Sequence, residues 1–165
     1  MFRSTILGCT RQAARQPPAF AQPAGDQPGR AIDPTFWLIP GHARERGSWY
    51  DGTSPQGLFR SEDGGVAWTP LPAVDDNAQL RAQMGLARDG TPDGPKLHLI
   101  LIDPRDLAHL YFAVLGGGVH ESIDARRSWT TLINRMEVVD GSDAADVSFH
   151  APHCVRLCPG NPDRL

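Results

Sequence analysis

The stretch Gly57–Leu71, GLFRSEDGGVAWTPL, is written a second time at Gly118–Leu132 as GVHESIDARRSWTTL. Aligned, Ser61 falls on Ser122, Asp63 on Asp124, Trp68 on Trp129 and Leu71 on Leu132, a shared S-x-D-x-x-x-x-W with identical spacing. Internal repetition constrains architecture more than local propensity does, because each copy needs a neighbour to bury its apolar face. The likeness continues upstream. His98–Val114, HLILIDPRDLAHLYFAV, runs as apolar stretch, Pro stop, polar turn and second β-rich stretch. The segment 153–165, HCVRLCPGNPDRL, restarts that phrase with Pro159 on Pro104 and Leu165 on Leu110, and Ala31–Ile39, AIDPTFWLI, is a weaker copy. Each unit therefore reads as strand, polar turn, strand, Gly-rich link, strand, Asp-containing hairpin, strand. Recurring sets of four short strands predict an all-β chain, a partial β-propeller of four-stranded antiparallel blades. The units fall at 31–71, 97–132 and an incomplete 153–165, which amounts to two blades and the start of a third.

The octapeptide SEDGGVAW resembles an Asp-box, or BNR repeat, of pattern S-x-D-x-G-x-x-W. The phrase IDPRDLAHLYFAVLGGGVHES is similar to the segments between boxes in sialidase-like propellers, and the resemblance covers residues 31–165. The first box matches in full, whereas the second has Arg126 where the pattern asks for Gly. Physical roles follow for the box residues. Asp63 is suited to accept backbone N–H groups across a tight turn, and Gly65 to supply a positive φ without strain. Trp68 would bury its indole against the hairpin, and Ser61 would bond the turn from the preceding strand. Ser122, Asp124 and Trp129 repeat these roles, with Arg126 straining the turn by about 1 kcal/mol. The resemblance places such boxes at the periphery, away from a ligand face, so this set is structural. Propellers close with about four to eight blades, so the expectation is a partial chain whose missing blades lie in the same or a partner chain.

Composition narrows the remaining classes. Sixteen Lys and Arg against nineteen Asp and Glu give a net charge of −3, with no basic patch to bind nucleic acid. No apolar run is long enough to span a bilayer. The start, MFRSTILGC, is far short of a signal core, which tilts the expectation toward a cytoplasmic chain. Residues 10–30 are rich in Ala, Gln and Pro, so residues 1–30 are expected to be disordered or misassigned and 31–165 to carry the propeller.

Candidate ligand-face residues come from two places. His98 and His153 are equivalent in the repeat, each at the start of a first strand. By resemblance that strand is innermost and its start faces the ligand-bearing mouth. The two His would then converge near the channel, or else each would simply bond a loop carbonyl. The insert Gly41–Gln56, taken as the link between second and third strands, offers Arg44, Arg46, Trp49, Tyr50 and Asp51: charge for anions and aromatic faces for sugars or peptides, or else a solvated excursion with the Trp and Tyr tucked onto the blade. The run HAPHCVRLC holds His150, His153, Cys154 and Cys158. On a strand, Cys154 and Cys158 would stand about 13 Å apart, too far to grip one ion, so no metal is assigned. Asp75, Asp76, Asp140, Asp143 and Asp146 in the inter-unit links would suit calcium or a sugar, or plain solvation. No cofactor is implied.

The sialidase pattern includes an N-terminal F/Y-R-I-P signature. FWLIP, Phe36–Pro40, keeps the aromatic and the IP but has Leu38 in place of the Arg, so the strongest contact to a substrate carboxylate is missing. No residue carries over as catalytic. The favoured expectation is a sialidase-like propeller segment that presents a loop face to a glycan or protein without catalysis. The competing ones are a glycoside hydrolase with catalytic residues in missing blades, and a protein-binding assembly or receptor propeller.

Overall fold

The computed structural model describes residues 1–4, 6–23, 25, 29–71, 74, 78, 80, 96–115, 117–132, 152, 154–161, 163 and 165. Ten strands are seen among them. A short pair, β1 (Phe2–Arg3) and β2 (Gln12–Ala13), precedes two four-stranded antiparallel sheets. The first sheet is β3 (Thr35–Pro40), β4 (Trp49–Thr53), β5 (Leu58–Ser61) and β6 (Thr69–Pro70). The second is β7 (Leu97–Ile102), β8 (Leu110–Val114), β9 (Gly118–Ser122) and β10 (Thr130–Thr131). Both are simple meanders in chain order, so the architecture is all-β, two neighbouring blades of a partial propeller. Among the described residues no helix is long and apolar enough to cross a membrane.

The sheets match in detail. Each has a register shift near the start of its first strand, between Thr35 and Trp37 in one and between Leu97 and Leu99 in the other. A bulge there bends the strand and increases its twist. In register, Asp51 opposes Phe59 and Phe112 opposes His120, so the two sheets can be compared residue by residue.

Packing follows from strand alternation. The main core lies between the sheets, with Tyr50 and Leu58 from the first meeting Leu97, Ile100 and Phe112 from the second. Val74 and Leu80, both helical and buried, join it from the chain between the sheets. Burial of each large apolar side chain here contributes about 1.5–3 kcal/mol. Gly52 makes the close approach possible, since a Cβ on it would stand 2.5 Å from Leu97 Cδ2 and 2.6 Å from the Leu97 carbonyl oxygen. The opposite face of the first sheet carries Phe59 and Trp68, covered by Phe20 with Met1, Ala14 and Ile32. The chain before β3 is tied there through its backbone: Arg15 N–H donates to Val66 O at 2.8 Å and Trp68 N–H to Gln16 O at 2.9 Å. The opposite face of the second sheet carries Leu99, Tyr111, Ala113, Val119 and Leu132, partly covered by Val155 and Leu157.

Each Ser–Asp–Trp segment closes a hairpin. Asp63 Oδ1 accepts the Val66 and Ala67 N–H groups, both at 2.9 Å. Ser61 Oγ donates to Asp63 Oδ1 at 2.8 Å and accepts the Gly65 N–H at 2.9 Å. Gly64 and Gly65 take φ of 76° and 85°, the left-handed region that suits glycine. Trp68 is buried and its indole N–H reaches Gly65 O at 3.3 Å. In the second hairpin Asp124 Oδ1 accepts the Arg127 and Ser128 N–H groups at 3.0 and 2.9 Å. Here the left-handed positions are filled by Ala125 and Arg126, at φ of 60° and 75°. Arg126 uses that strained backbone to cross between the sheets. Its guanidinium donates to the Tyr50 hydroxyl and lies 3.7 Å from Glu45 Oε1, which also pairs with Arg60 at 2.8 Å.

Candidate functional site

Meander topology sorts the links onto two ends. The Ser–Asp–Trp turns, the β3–β4 link and the β7–β8 link share one end, the hairpin end. The β4–β5 and β8–β9 turns and the starts of β3 and β7 share the other, the open end.

This placement alters the sequence assignment of Gly41–Gln56. The segment is not one link between second and third strands: residues 41–48 join β3 to β4, Trp49–Thr53 is β4 itself, and only residues 54–57 turn into β5. The β3–β4 link lies at the hairpin end, where Gly64 N–H donates to Gly47 O at 2.8 Å. Arg44 and Arg46 are exposed there. Trp49 is half-buried at the start of β4. Tyr50 is fully buried between the sheets, and that burial raises its phenol pKa against the opposing pull of Arg126 and Arg60. His42, from the same link, is buried and joins the two sheets: its Nε2–H donates to Pro104 O at 2.9 Å while Nδ1 accepts the Arg44 N–H at 3.1 Å.

The open end receives His98. It is buried on β7, and its Nε2–H donates to the carbonyl of Pro152. His153, its repeat partner, lies outside the described residues, as do His150, Asp75, Asp76, Asp140, Asp143 and Asp146. Cys154 and Cys158 are exposed free thiols.

The feature that sequence inspection passes over at this end is β3. An edge strand of the first sheet that lies beside β7, it is largely solvent-exposed. Phe36, Trp37 and Leu38 are 46%, 37% and 48% exposed, and Lys96 Nζ lies 5.5 Å from the centre of the Phe36 ring. A run of exposed aromatic and apolar side chains next to a cation is the type of surface that marks a binding site. The sequence signal for it is the aromatic pair Phe36–Trp37 in FWLIP.

Asp51 and His120 are also perturbed inside the sheets. Asp51 is fully buried, and burial raises its carboxyl to about 7. One oxygen accepts the Thr35 hydroxyl at 3.3 Å; the other has no hydrogen-bond partner among the described residues. His120 is buried and stacked on Phe112, and burial lowers its imidazole to about 4, so it is neutral at physiological pH. Its Nε2–H donates to Gly117 O at 2.9 Å. At the hairpin end Asp103, held by Arg105 at 2.7 Å and beside His109, is lowered to about 2 by the Arg105 bonds. It organises the β7–β8 link, accepting the Arg105 N–H at 2.9 Å.

No family model matches this chain, nor does any curated protein sequence. Among solved structures it is similar to the GH74 xyloglucanase from Xanthomonas campestris, at 24% identity and a TM-score of 0.38. The similarity covers 64% of this chain and 14% of that enzyme's chain.

Proposed function

We propose that this chain is a segment of a sialidase-like Asp-box propeller that presents a ligand surface without catalysing a reaction, and that the surface centres on β3. The exposed Phe36 and Trp37 on β3, the edge strand beside β7, carry this reading. Two neighbouring aromatic rings exposed on an edge strand, beside the apolar Leu38, make the kind of apolar patch that marks a binding surface. Aromatic faces with one adjacent ammonium, Lys96, suit a neutral or acidic glycan, whose ring C–H groups pack on the rings while its hydroxyls or carboxylate meet the cation. The chemistry-bearing groups nearby favour binding over turnover: His98 is bonded to a backbone carbonyl, and the Ser–Asp pairs are used up closing hairpins. The experiment is a glycan array with the purified chain, followed by titration of a bound glycan against Trp37→Ala. Affinity should fall by about tenfold or more, the effect of losing one buried aromatic contact. Unchanged binding in that variant would refute the assignment of β3.

A further inference from the structure

The chain ahead of the first sheet carries charge of one sign. Residues 1–25 hold Arg3, Arg11 and Arg15 and no Asp or Glu, so all nineteen acidic residues lie beyond them. Among the described residues none of these three Arg takes part in an ion pair, and Arg11 and Arg15 are exposed. Glu62, exposed on the neighbouring turn, is already paired with Arg60. The same segment shows apolar side chains to solvent: Phe2 and Ile6 are exposed and Leu7 is fully so.

Backbone bonds set where these residues stand. Gln16 bridges Ala67 in parallel, and Ala14 N–H donates to Met1 O at 3.1 Å. The β1–β2 ribbon therefore lies alongside the Ser–Asp–Trp turn of the first sheet, and a Cβ on Gly64 in that turn would stand 3.8 Å from Arg3 Nη1. The turn joining β1 to β2 reaches past it, out from the hairpin end. Inside this turn the chain is bonded to itself. Ser4 Oγ accepts the Ile6 and Gly8 N–H groups at 3.3 and 2.9 Å, and Cys9 N–H donates to Ile6 O at 2.8 Å. Leu7 is held at φ 42°, where a bulky residue is rare. Backbone strain kept at a fully solvated apolar residue contributes nothing to the core, and such strain gathers where a chain makes a functional contact.

We propose that the β1–β2 ribbon docks the chain on an anionic lipid bilayer, with Ile6, Leu7 and Phe2 entering the headgroup–acyl boundary and Arg3, Arg11 and Arg15 meeting lipid phosphates and carboxylates. Apolar side chains flanked by cations are the recurring make-up of segments that lie in that boundary. N–H groups already bonded within the turn lose little on leaving water. Cations of one sign, on a chain whose acids all lie elsewhere, favour an anionic lipid surface over a protein partner. Docked this way, the hairpin end faces the bilayer and the open end faces away from it.

Flotation of the full chain with vesicles tests this. Vesicles of phosphatidylcholine and phosphatidylserine should carry the chain, and affinity should fall about tenfold or more when phosphatidylserine is omitted. Ile6→Ser/Leu7→Ser should cost about tenfold or more on the anionic vesicles. Both positions are exposed, so the β-sheet circular dichroism should not change. A polarity-sensitive maleimide dye on Cys9 of a Cys154→Ser/Cys158→Ser chain should shift to the blue with anionic vesicles. A chain that stays in the buffer at every lipid concentration overturns the proposal, and a protein bound through the ribbon in its place does so too. Equal binding to vesicles of phosphatidylcholine alone also overturns it. So does binding that Ile6→Ser/Leu7→Ser leaves unchanged or that leaves the dye unshifted, since the contact then lies elsewhere on the chain.

Discussion

Replacing Arg126 separates two opposing effects that the second hairpin combines. Its backbone, at φ 75°, lies where an L-residue with a Cβ is disfavoured by about 1 kcal/mol. Its guanidinium, only 11% exposed, donates to the Tyr50 hydroxyl and faces Glu45. A charge-assisted bond of this kind contributes about 1.5–3 kcal/mol, and the longer Glu45 contact about 0.5 kcal/mol or less. Arg126→Ala keeps the strain and loses the bonds, so it should destabilise by about 2–3 kcal/mol. Arg126→Gly loses the same bonds but relieves the turn, so its loss should be about 1 kcal/mol smaller. In a chain of this size each kcal/mol moves the melting temperature by about 2–4 °C. Urea unfolding followed by tryptophan fluorescence gives the free energies, and a cycle with Tyr50→Phe isolates the pair, with a coupling of about 1 kcal/mol expected. If Arg126→Gly is more stable than the parent, or the coupling to Tyr50 is zero, the residue is a worn repeat position and no clamp.

Asp124 is lowered to about 2, chiefly by the Ser128 hydroxyl and then by backbone N–H groups. Its folded pKa is below the unfolded value, so its stabilisation is present above about pH 4 and is lost as pH falls toward 2; Asp124→Asn should flatten the melting curve's dependence on pH in that window. Asp51 runs the other way: raised to about 7 by burial, it holds its proton more tightly when folded. Stability from this group is therefore greatest below about pH 4 and declines up to about pH 7. Asp51→Asn should remove that slope and outlast the parent in urea at pH 8; identical pH profiles would refute it. Gly52→Ala must push β7 away, because its Cβ would meet Leu97 at 2.5 Å, and should lower stability by about 1–3 kcal/mol in a urea titration.

What could be read from the chain and what could not divide along the range of the interactions. The hairpin turns are local: a carboxylate, a hydroxyl and a glycine within five positions supply their own bonds, so spacing alone reveals them. β4 was hidden because WYDGT contains Asp and Gly, both rare in strands, between two Gly- and Ser-marked turns. It is a strand because Gly52 admits Leu97 and Thr35 bonds Asp51, facts belonging to distant partners. Arg126 looked like a lost glycine, since the Tyr50 it reaches is remote in sequence. Phe20 is a lone aromatic among Ala, Gln and Pro, and no periodicity announces its place over Phe59. The exposed face of β3 was invisible for a similar reason, as FWLI has the composition of a buried strand.

The two Ser–Asp–Trp sheets pack side by side, β3 and β4 of the first against β7 of the second. A nuclear Overhauser spectrum of the labelled chain tests it most directly. Strong cross-peaks from Gly52 Hα to the Leu97 methyls should accompany those between the Phe112 and Trp129 rings, whose centres are 4.7 Å apart. Ring cross-peaks within the second sheet without any from Gly52 to Leu97 would mean that each sheet folds but the two are not neighbouring blades.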